Sequence, residues 1–243
     1  MNSVLIIIQA RLGSTRFKKK VILPITKYPS IVYQYKRIEK IINYAKIVVA
    51  IPNNENNAEL KNILKQHEIE YFEGSENNVF KRFYDCANIF NPKFVVRLNG
   101  DCPLISCSTI DECINAIYKT NVDYISTILN NNFPLGEHVE VFTMKALKRA
   151  HKMKLNEKEI EHVTPIFYKE KSTFKCEAIR KIHIFPKDLR LCIDYPEDYD
   201  LICKIADYFF PKIDYDLLDI IKLLNNRSEL MNINSKFKKS RRI

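Results

Sequence analysis

The sequence predicts an α/β fold with a largely parallel sheet covered on both faces by helices. Two observations point there. Short apolar runs alternate with amphipathic stretches of helical period, the signature of successive βαβ units. And the four glycines, Gly13, Gly74, Gly100 and Gly136, all fall in expected loops, three of them at one edge of the sheet. No internal repeat and no Gly-, Pro- or Ser-rich linker interrupts the pattern, so one main domain is expected.

The elements follow in order. Val4–Ile8 is a continuous apolar run, as a strand buried on both faces requires. Ile31, Tyr35, Ile38 and Ile42 recur at helical spacing across Ser30–Asn43. Lys46–Ile51 reads as a second strand, and Asn54–Gln66 as a helix with Leu60, Ile63 and Leu64 inward. Tyr71–Phe72 is a short strand, and Val79, Phe80, Phe83 and Ala87 mark the next helix. Phe94–Leu98 is a further strand, and Ser108–Lys119 a helix with Ile110, Ile114 and Ile117 on one side. Ligands of such sheets bind beyond the carboxyl ends of the strands, so the loops after Ile8, Ala50, Phe72 and Leu98 form the expected site.

Composition bounds the function. The chain has 243 residues, 46% hydrophobic and 28% charged, an ordinary globular balance. No run of 18 apolar residues occurs, so no membrane helix is expected. The apolar start Met1–Ile8 lacks a basic region and a cleavage site, and a cytoplasmic protein is expected. Seven cysteines without a CxxC pair, several in apolar surroundings (Cys86, Cys113, Cys192 and Cys203), fit buried thiols better than disulfides or a zinc site. The net charge of +10 suits an anionic ligand. Part of it lies in Lys236–Arg242, within a segment 226–243 read as a basic, flexible tail beyond a catalytic domain of residues 1–225. The aromatic residues fall at core spacing, which argues against a nucleic-acid surface.

Four segments carry chemistry. Gln9-Ala-Arg-Leu-Gly-Ser-Thr-Arg16, continuing to Lys20, directly follows the first strand. Gly13 permits close backbone approach, Ser14 and Thr15 supply hydroxyls, and Arg11, Arg16 and Lys20 supply cations, a combination suited to a triphosphate. It matches neither GxGxxG nor GxxxxGK[ST]. Arg97-Leu-Asn-Gly-Asp-Cys-Pro103 places Asp101 at a strand end, where a carboxylate suits Mg²⁺ or, equally, caps the next helix. In Leu191-Cys-Ile-Asp-Tyr-Pro-Glu-Asp198, Pro196 fits the first position of a helix. Taken alone, Asp194 or Tyr195 there is a helix cap with Glu197 and Asp198 supporting the first turn; as a second carboxylate sharing a metal with Asp101, Asp194 becomes a ligand. Last, Gly136 marks a turn before the strand-like Val139–Phe142, in which Glu140 could face a substrate, and Glu161-His-Val-Thr-Pro165 is a polar knot.

Together these segments resemble the cytidylyltransferase family that makes CMP-activated acidic sugars (the CMP-sialate and CMP-KDO synthetase type), in particular its spore-coat polysaccharide branch named after SpsF. The opening of that branch resembles I-x-Q-A-R-x-G-S-T-R-L-P-x-K; here it reads Ile8-Gln-Ala-Arg-Leu-Gly-Ser-Thr-Arg-Phe-Lys-Lys-Lys20. Gly74-Ser75, Arg97, Gly100-Asp-Cys-Pro-Leu104, Glu140-Val-Phe142, Glu161-His-Val-Thr-Pro165 and Asp194-Tyr-Pro-Glu-Asp198 follow in matching order, and the resemblance covers roughly residues 3–210.

The resemblance implies a Rossmann-like three-layer αβα nucleotidyltransferase fold and Mg²⁺-dependent transfer of CMP from CTP to an acidic sugar or phosphorylated acceptor, with release of pyrophosphate, for surface polysaccharide synthesis. Arg11, Lys20 and Asp101 would be catalytic. Gln9, Ala10, Arg11, Gly13, Ser14, Arg16, Lys20, Gly74, Ser75, Arg97, Asn99 and Gly100 would hold the nucleotide. Glu140, Glu161 and His162 would meet the acceptor, and Asp101 and Asp194 the Mg²⁺. A homodimer without membrane or nucleic-acid partners is the matching expectation. A glycosyltransferase using a nucleotide-sugar is the alternative reading. Two departures stand out: Phe17-Lys18-Lys19 replaces Leu-Pro-Gly, leaving open which lysine serves the phosphates, and Glu73 reverses the charge of the usual Arg-Gly-Ser block.

Overall fold

The computed structural model of the chain describes residues 3–130, 132–179, 185–186 and 188–237. Its frame is β1 (Val4–Gln9), β2 (Pro24–Ile25), β3 (Tyr28–Pro29), α1 (Ser30–Ile38), β4 (Ala45–Pro52), α2 (Ala58–Gln66), β5 (Tyr71–Gly74), α3 (Val79–Phe90), β6 (Phe94–Asn99) and α4 (Cys107–Lys119). β7 (Tyr124–Ser126), β8 (Glu140–Thr143), α5 (Met144–His151), α6 (Glu157–His162), α7 (Pro165–Tyr168), β9 (Cys176–Ala178), α8 (Pro196–Phe209) and α9 (Leu217–Asn226) complete it.

The main sheet has seven strands in the order β5-β4-β1-β6-β8-β7-β9. β4, β5 and β6 run parallel to β1, and only β8 opposes its neighbours. The expected α/β class with a mostly parallel sheet is therefore observed. β1 shows why its sequence is apolar throughout. Val4, Ile6 and Ile8 pack into a core with residues of α1, α2, α4, α8 and α9, while Leu5 and Ile7 pack into a second core with α3, α5 and α7. A central strand between two helical layers has no face left for water.

The reversal of β8 matters for function. Because it runs against β6, its first residue rather than its last lies at the carboxyl-end edge, where Arg97 is paired directly with Glu140. That edge collects Gln9, Pro52, Gly74 and Asn99, the last residues of the four parallel strands.

Several expectations shift at their ends. The helix expected over Ser30–Asn43 is α-helical only to Ile38 and continues as a 3₁₀ turn, and Glu55–Asn57 forms a 3₁₀ turn before α2. The polar knot resolves into the end of α6 and the start of α7, joined through Val163 at φ 67°, a strained conformation for a β-branched residue. The segment expected as a flexible tail from residue 226 is folded in its described part. Ser228–Asn232 and Ser235–Phe237 form 3₁₀ turns, and Leu230 and Asn234 are buried; residues 238–243 lie outside the described part. No disulfide joins the cysteines among the described residues, and Cys86, Cys113 and Cys192 are buried. No helix there is long and apolar enough to cross a membrane.

Candidate active site

The loop after β1 and the loops after β6 and before α8 meet around one ammonium group. Lys20 Nζ lies 2.7 Å from Asp101 Oδ2 and 3.0 Å from Asp194 Oδ1, and it also donates to the Ile193 carbonyl. Lys20 is 7% exposed. Burial works against its charge, but the two carboxylates outweigh that penalty and hold its pKa above the ordinary value. Lys18 and Lys19 are exposed, and Lys19 pairs instead with Glu59 on α2 at 2.6 Å. Of the three consecutive lysines, Lys20 is thus the one at the site.

Local backbone geometry explains this choice. Lys19 takes the left-handed conformation, φ 57° and ψ 16°, and so turns Lys20 inward to begin the 3₁₀ turn. Gly13 was the expected pivot of the loop, yet it is exposed with no other atom near its missing side chain. Leu12 N donates to Asn57 Oδ1 at 2.9 Å, so a buried asparagine ahead of α2 anchors the loop from below. Gly100 serves close approach: a Cβ there would lie 2.9 Å from the Gln9 carbonyl oxygen.

Asp194 is not the cap of α8. Tyr195 holds that position, and Asp198 in the first turn reaches back, its Oδ2 accepting from the backbone N–H of Asp194 and Tyr195 at 3.0 and 3.1 Å. The Asp194 carboxylate is left to face Lys20, Arg16 Nη2 at 3.3 Å and Arg190 Nη2 at 3.4 Å. Arg190 also bridges to Asp198, with Nε 3.2 Å from Oδ1. Ile193 N donates to the Asp101 carbonyl at 2.8 Å, which sets the two carboxylate-bearing loops side by side. Gly136, at φ 109°, packs so tightly on Leu191 that a Cβ would come within 2.5 Å of its backbone, and it holds this segment in place.

A second polar cluster lies on the α3 side of the same edge. Arg97 Nη1 pairs with Glu140, and Arg97 Nη2 lies 3.3 Å from Gln9 Oε1. Glu140 also accepts from the Tyr124 hydroxyl at 2.7 Å and from Thr164 Oγ1. Glu140 was expected to face a substrate. It is 1% exposed with both oxygens engaged, and it orients Arg97 instead. Glu161 and His162 are exposed on α6, and His162 meets the cluster only through its carbonyl, which accepts from Thr164 N at 2.8 Å. Glu161 lines a cleft of about 390 Å³ together with Arg11, Glu76, Asn77, Val79 and Ile160. Glu73, the charge reversal, is tied to Lys61 on α2 at 2.7 Å. Asn99 offers its carbonyl to buried Gln34 at 2.9 Å, and Ser75 Oγ accepts from Asn78 N at the start of α3.

A sequence model described as cytidylyltransferase matches residues 5–233. The chain belongs to the cytidylyltransferase family. It is 28% identical to the spore coat polysaccharide biosynthesis protein SpsF of Bacillus subtilis, over 94% of this chain and 97% of that one. Its fold superimposes on a cytidylyltransferase from Leptospira borgpetersenii with a TM-score of 0.88 at 26% identity, covering 99% and 98% of the two chains. A CMP:2-keto-3-deoxy-manno-octonic acid synthetase solved with CTP shares the fold at a TM-score of 0.65 and 12% identity, covering 84% of this chain and 98% of that one. The family assigns the chain to the nucleotidyltransferase enzymes and sets the glycosyltransferase alternative aside.

Sequence reasoning placed Asp198 in the first turn of a helix, as observed, but missed Arg190, Asn57 and Asn234. Asn57 and Asn234 act through contacts between segments far apart in the chain. Among the described residues no group of three or more His, Cys, Asp or Glu side chains could enclose a metal. Asp101 and Asp194 nevertheless fit one kind of ion, because Mg²⁺ takes one or two carboxylates and completes its shell with water and substrate phosphate. Both carboxylates turn an oxygen toward the same ammonium, so their negative charge converges on one point.

Proposed function

We propose that the enzyme transfers CMP from CTP to an acidic sugar or phosphorylated small acceptor, releasing pyrophosphate, in the synthesis of a surface polysaccharide. The observation that carries this is the Lys20 ammonium held between Asp101 and Asp194 beyond the ends of β1 and β6. Arg11, Arg16 and Lys20 surround the loop in which the triphosphate would lie, and Ser14 supplies a hydroxyl. Lys20 and Arg16 are pre-aligned by fixed carboxylates, so they need not reorganise as charge grows on the leaving pyrophosphate. Arg97, held by Glu140 and Gln9, is rigid enough to orient an anionic acceptor. The acceptor oxygen attacks the α-phosphorus in line with the departing pyrophosphate.

Asp101 and Asp194 would hold Mg²⁺, which would supply Lewis-acid polarisation of the α-phosphate. The names of relatives support the acceptor class: one acts in spore coat polysaccharide biosynthesis, another is a 3-deoxy-manno-octulosonate cytidylyltransferase of Chlorobium chlorochromatii.

The test is pyrophosphate release from CTP over a panel of acidic and phosphorylated sugars, with and without Mg²⁺. Pyrophosphate formed in step with a CMP-sugar supports the reading. Release of a nucleoside diphosphate from a nucleotide-sugar, with none of pyrophosphate, would overturn it.

A further inference from the structure

Lys20 and a metal ion have claims on the same point. The Lys20 ammonium lies 2.7 Å from Asp101 Oδ2 and 3.0 Å from Asp194 Oδ1, and it also donates to the Ile193 carbonyl. The other Asp194 oxygen is engaged elsewhere, with Oδ2 3.4 Å from Arg190 Nη2 and 3.7 Å from Cys192 Sγ. Arg190 is itself fixed by both oxygens of Asp198, with Nε 3.2 Å from Oδ1 and Nη2 3.1 Å from Oδ2. An ion that joins the two carboxylates therefore draws on Asp194 Oδ1, the oxygen that Lys20 holds. Mg²⁺ binds carboxylate oxygens at about 2.0–2.1 Å in near-octahedral geometry. The place that meets this demand is the one the ammonium fills, and two cations cannot share it.

Nor can Lys20 simply be driven out. It is 7% exposed, and a buried ammonium without an anion is costly. Two neighbouring carboxylates without a cation are costly in turn. Each side needs a new partner before it gives up the old one, and a triphosphate supplies one to Lys20. The loop suited to the phosphates, with Arg11, Ser14 and Arg16, runs directly into Lys20. The backbone at Lys20 is set, with Lys19 in the left-handed conformation and Lys20–Ile22 in a 3₁₀ turn. Its four-carbon side chain is flexible, so the ammonium can change partners while the main chain stays in place.

We infer that Lys20 is the internal counter-ion of the metal site, which holds Asp101 and Asp194 against free divalent ions and releases them only when phosphate oxygens take up its charge. This rests on the reading of Asp101 and Asp194 as Mg²⁺ ligands and deepens it. One side chain then couples nucleotide to metal, and by linkage each raises the affinity of the other by the same factor. The exchange belongs to binding. It is complete before the chemical step, so Lys20 meets the leaving pyrophosphate from a settled position.

The test is Mn²⁺ binding without nucleotide, followed by loss of the free-ion electron paramagnetic resonance signal. It compares the full chain with Lys20→Met, Arg16→Met and the double variant Lys20→Met/Asp101→Asn. Melting temperatures with and without Mn²⁺ establish that each folds. Lys20→Met should bind Mn²⁺ roughly 5- to 150-fold more tightly than the wild type, and Mn²⁺ should raise its melting temperature. Arg16→Met removes a half-exposed cation that meets Asp194 from 3.3 Å, and it should gain less. Asp101→Asn should erase the gain of Lys20→Met, which places the ion between the carboxylates. Equal Mn²⁺ affinity in wild type and Lys20→Met, equal gains in Lys20→Met and Arg16→Met, or a poorly folded Lys20→Met that Mn²⁺ does not rescue, would overturn the assignment. A wild type that binds Mn²⁺ with CTP, beside a Lys20→Met that gains nothing without CTP, keeps the metal site and loses this inference. A gain in Lys20→Met, in an enzyme that releases no pyrophosphate, keeps the exchange and loses the CMP-transfer reading.

Discussion

Asn234 donates to Asp198 Oδ1 at 2.8 Å and to the Arg190 carbonyl at 3.2 Å, so the segment after α9 grips the first-turn carboxylate of α8 that ties down the Asp194 backbone. Phe237 stacks on Tyr195, with ring centroids 3.8 Å apart, and reinforces the contact.

Asn234→Ala should therefore act twice. Removing one partner of a buried charged group costs about 1–3 kcal/mol of stability, read by urea unfolding. It should also raise the Mg²⁺ concentration needed for half-maximal activity, because the Asp194 turn loosens. A stability loss with unchanged Mg²⁺ dependence would confine Asn234 to a structural role.

Lys20→Met should lower kcat by roughly 100- to 1000-fold, the range seen when one preorganised electrostatic contact is deleted. Lys18→Met should leave steady-state pyrophosphate release near the wild-type rate, because Lys18 is exposed. Equal losses in both would mean that the loop contributes only diffuse charge.

Lys19→Gly should stabilise the protein. Lys19 holds a left-handed backbone that costs a residue with a Cβ about 1–2 kcal/mol, partly offset by the freedom glycine gains on unfolding. Its ion pair with Glu59 is half exposed on both sides and adds little. The net gain should be about 0.5–1 kcal/mol, measured by chemical denaturation with activity retained.

Glu137 gives a pH signature. It is fully buried against Ser106 N and Oγ at the start of α4, and burial raises its pKa from 4.5 to about 7. The folded chain keeps a proton that the unfolded chain releases between those values. Its share of stability is intact below pH 4.5 and is lost as pH rises to about 7, by about 3 kcal/mol in all. Glu137→Gln should abolish this component, so the stability difference between variant and wild type should widen across that window. A constant difference from pH 4 to 8 would show that folding leaves the Glu137 pKa at its ordinary value.

The parts legible in the sequence are those that report themselves locally. β1, β4 and β6 announce themselves as apolar runs, and Lys20, Asp101 and Asp194 stand at strand or helix boundaries. What stayed hidden depends on contacts across the chain. The alternation in Val139–Phe142 marks a strand but not its direction, so the burial of Glu140 against Arg97 was not visible. Three-residue strands such as β7 and β9 carry too few positions to show a period. Nothing local distinguishes Lys18, Lys19 and Lys20, because a left-handed turn at position 19 makes the choice. Leu230 lies in a stretch too short to show a period, and only its place in the core and the bonds of Asn234 to Arg190 and Asp198 reveal a packed segment.

The grip of Asn234 on Asp198 also sets a timetable. A chain leaves the ribosome from its N-terminus, and its early segments fold first. The loop after β1 emerges among the first 20 residues, yet the turn that presents Asp194 to it is not completed until residue 234 is free. A nascent chain stopped short of that point would carry the nucleotide loop without its finished partner. The site is finished only when residues far along the chain from its first loop have been made.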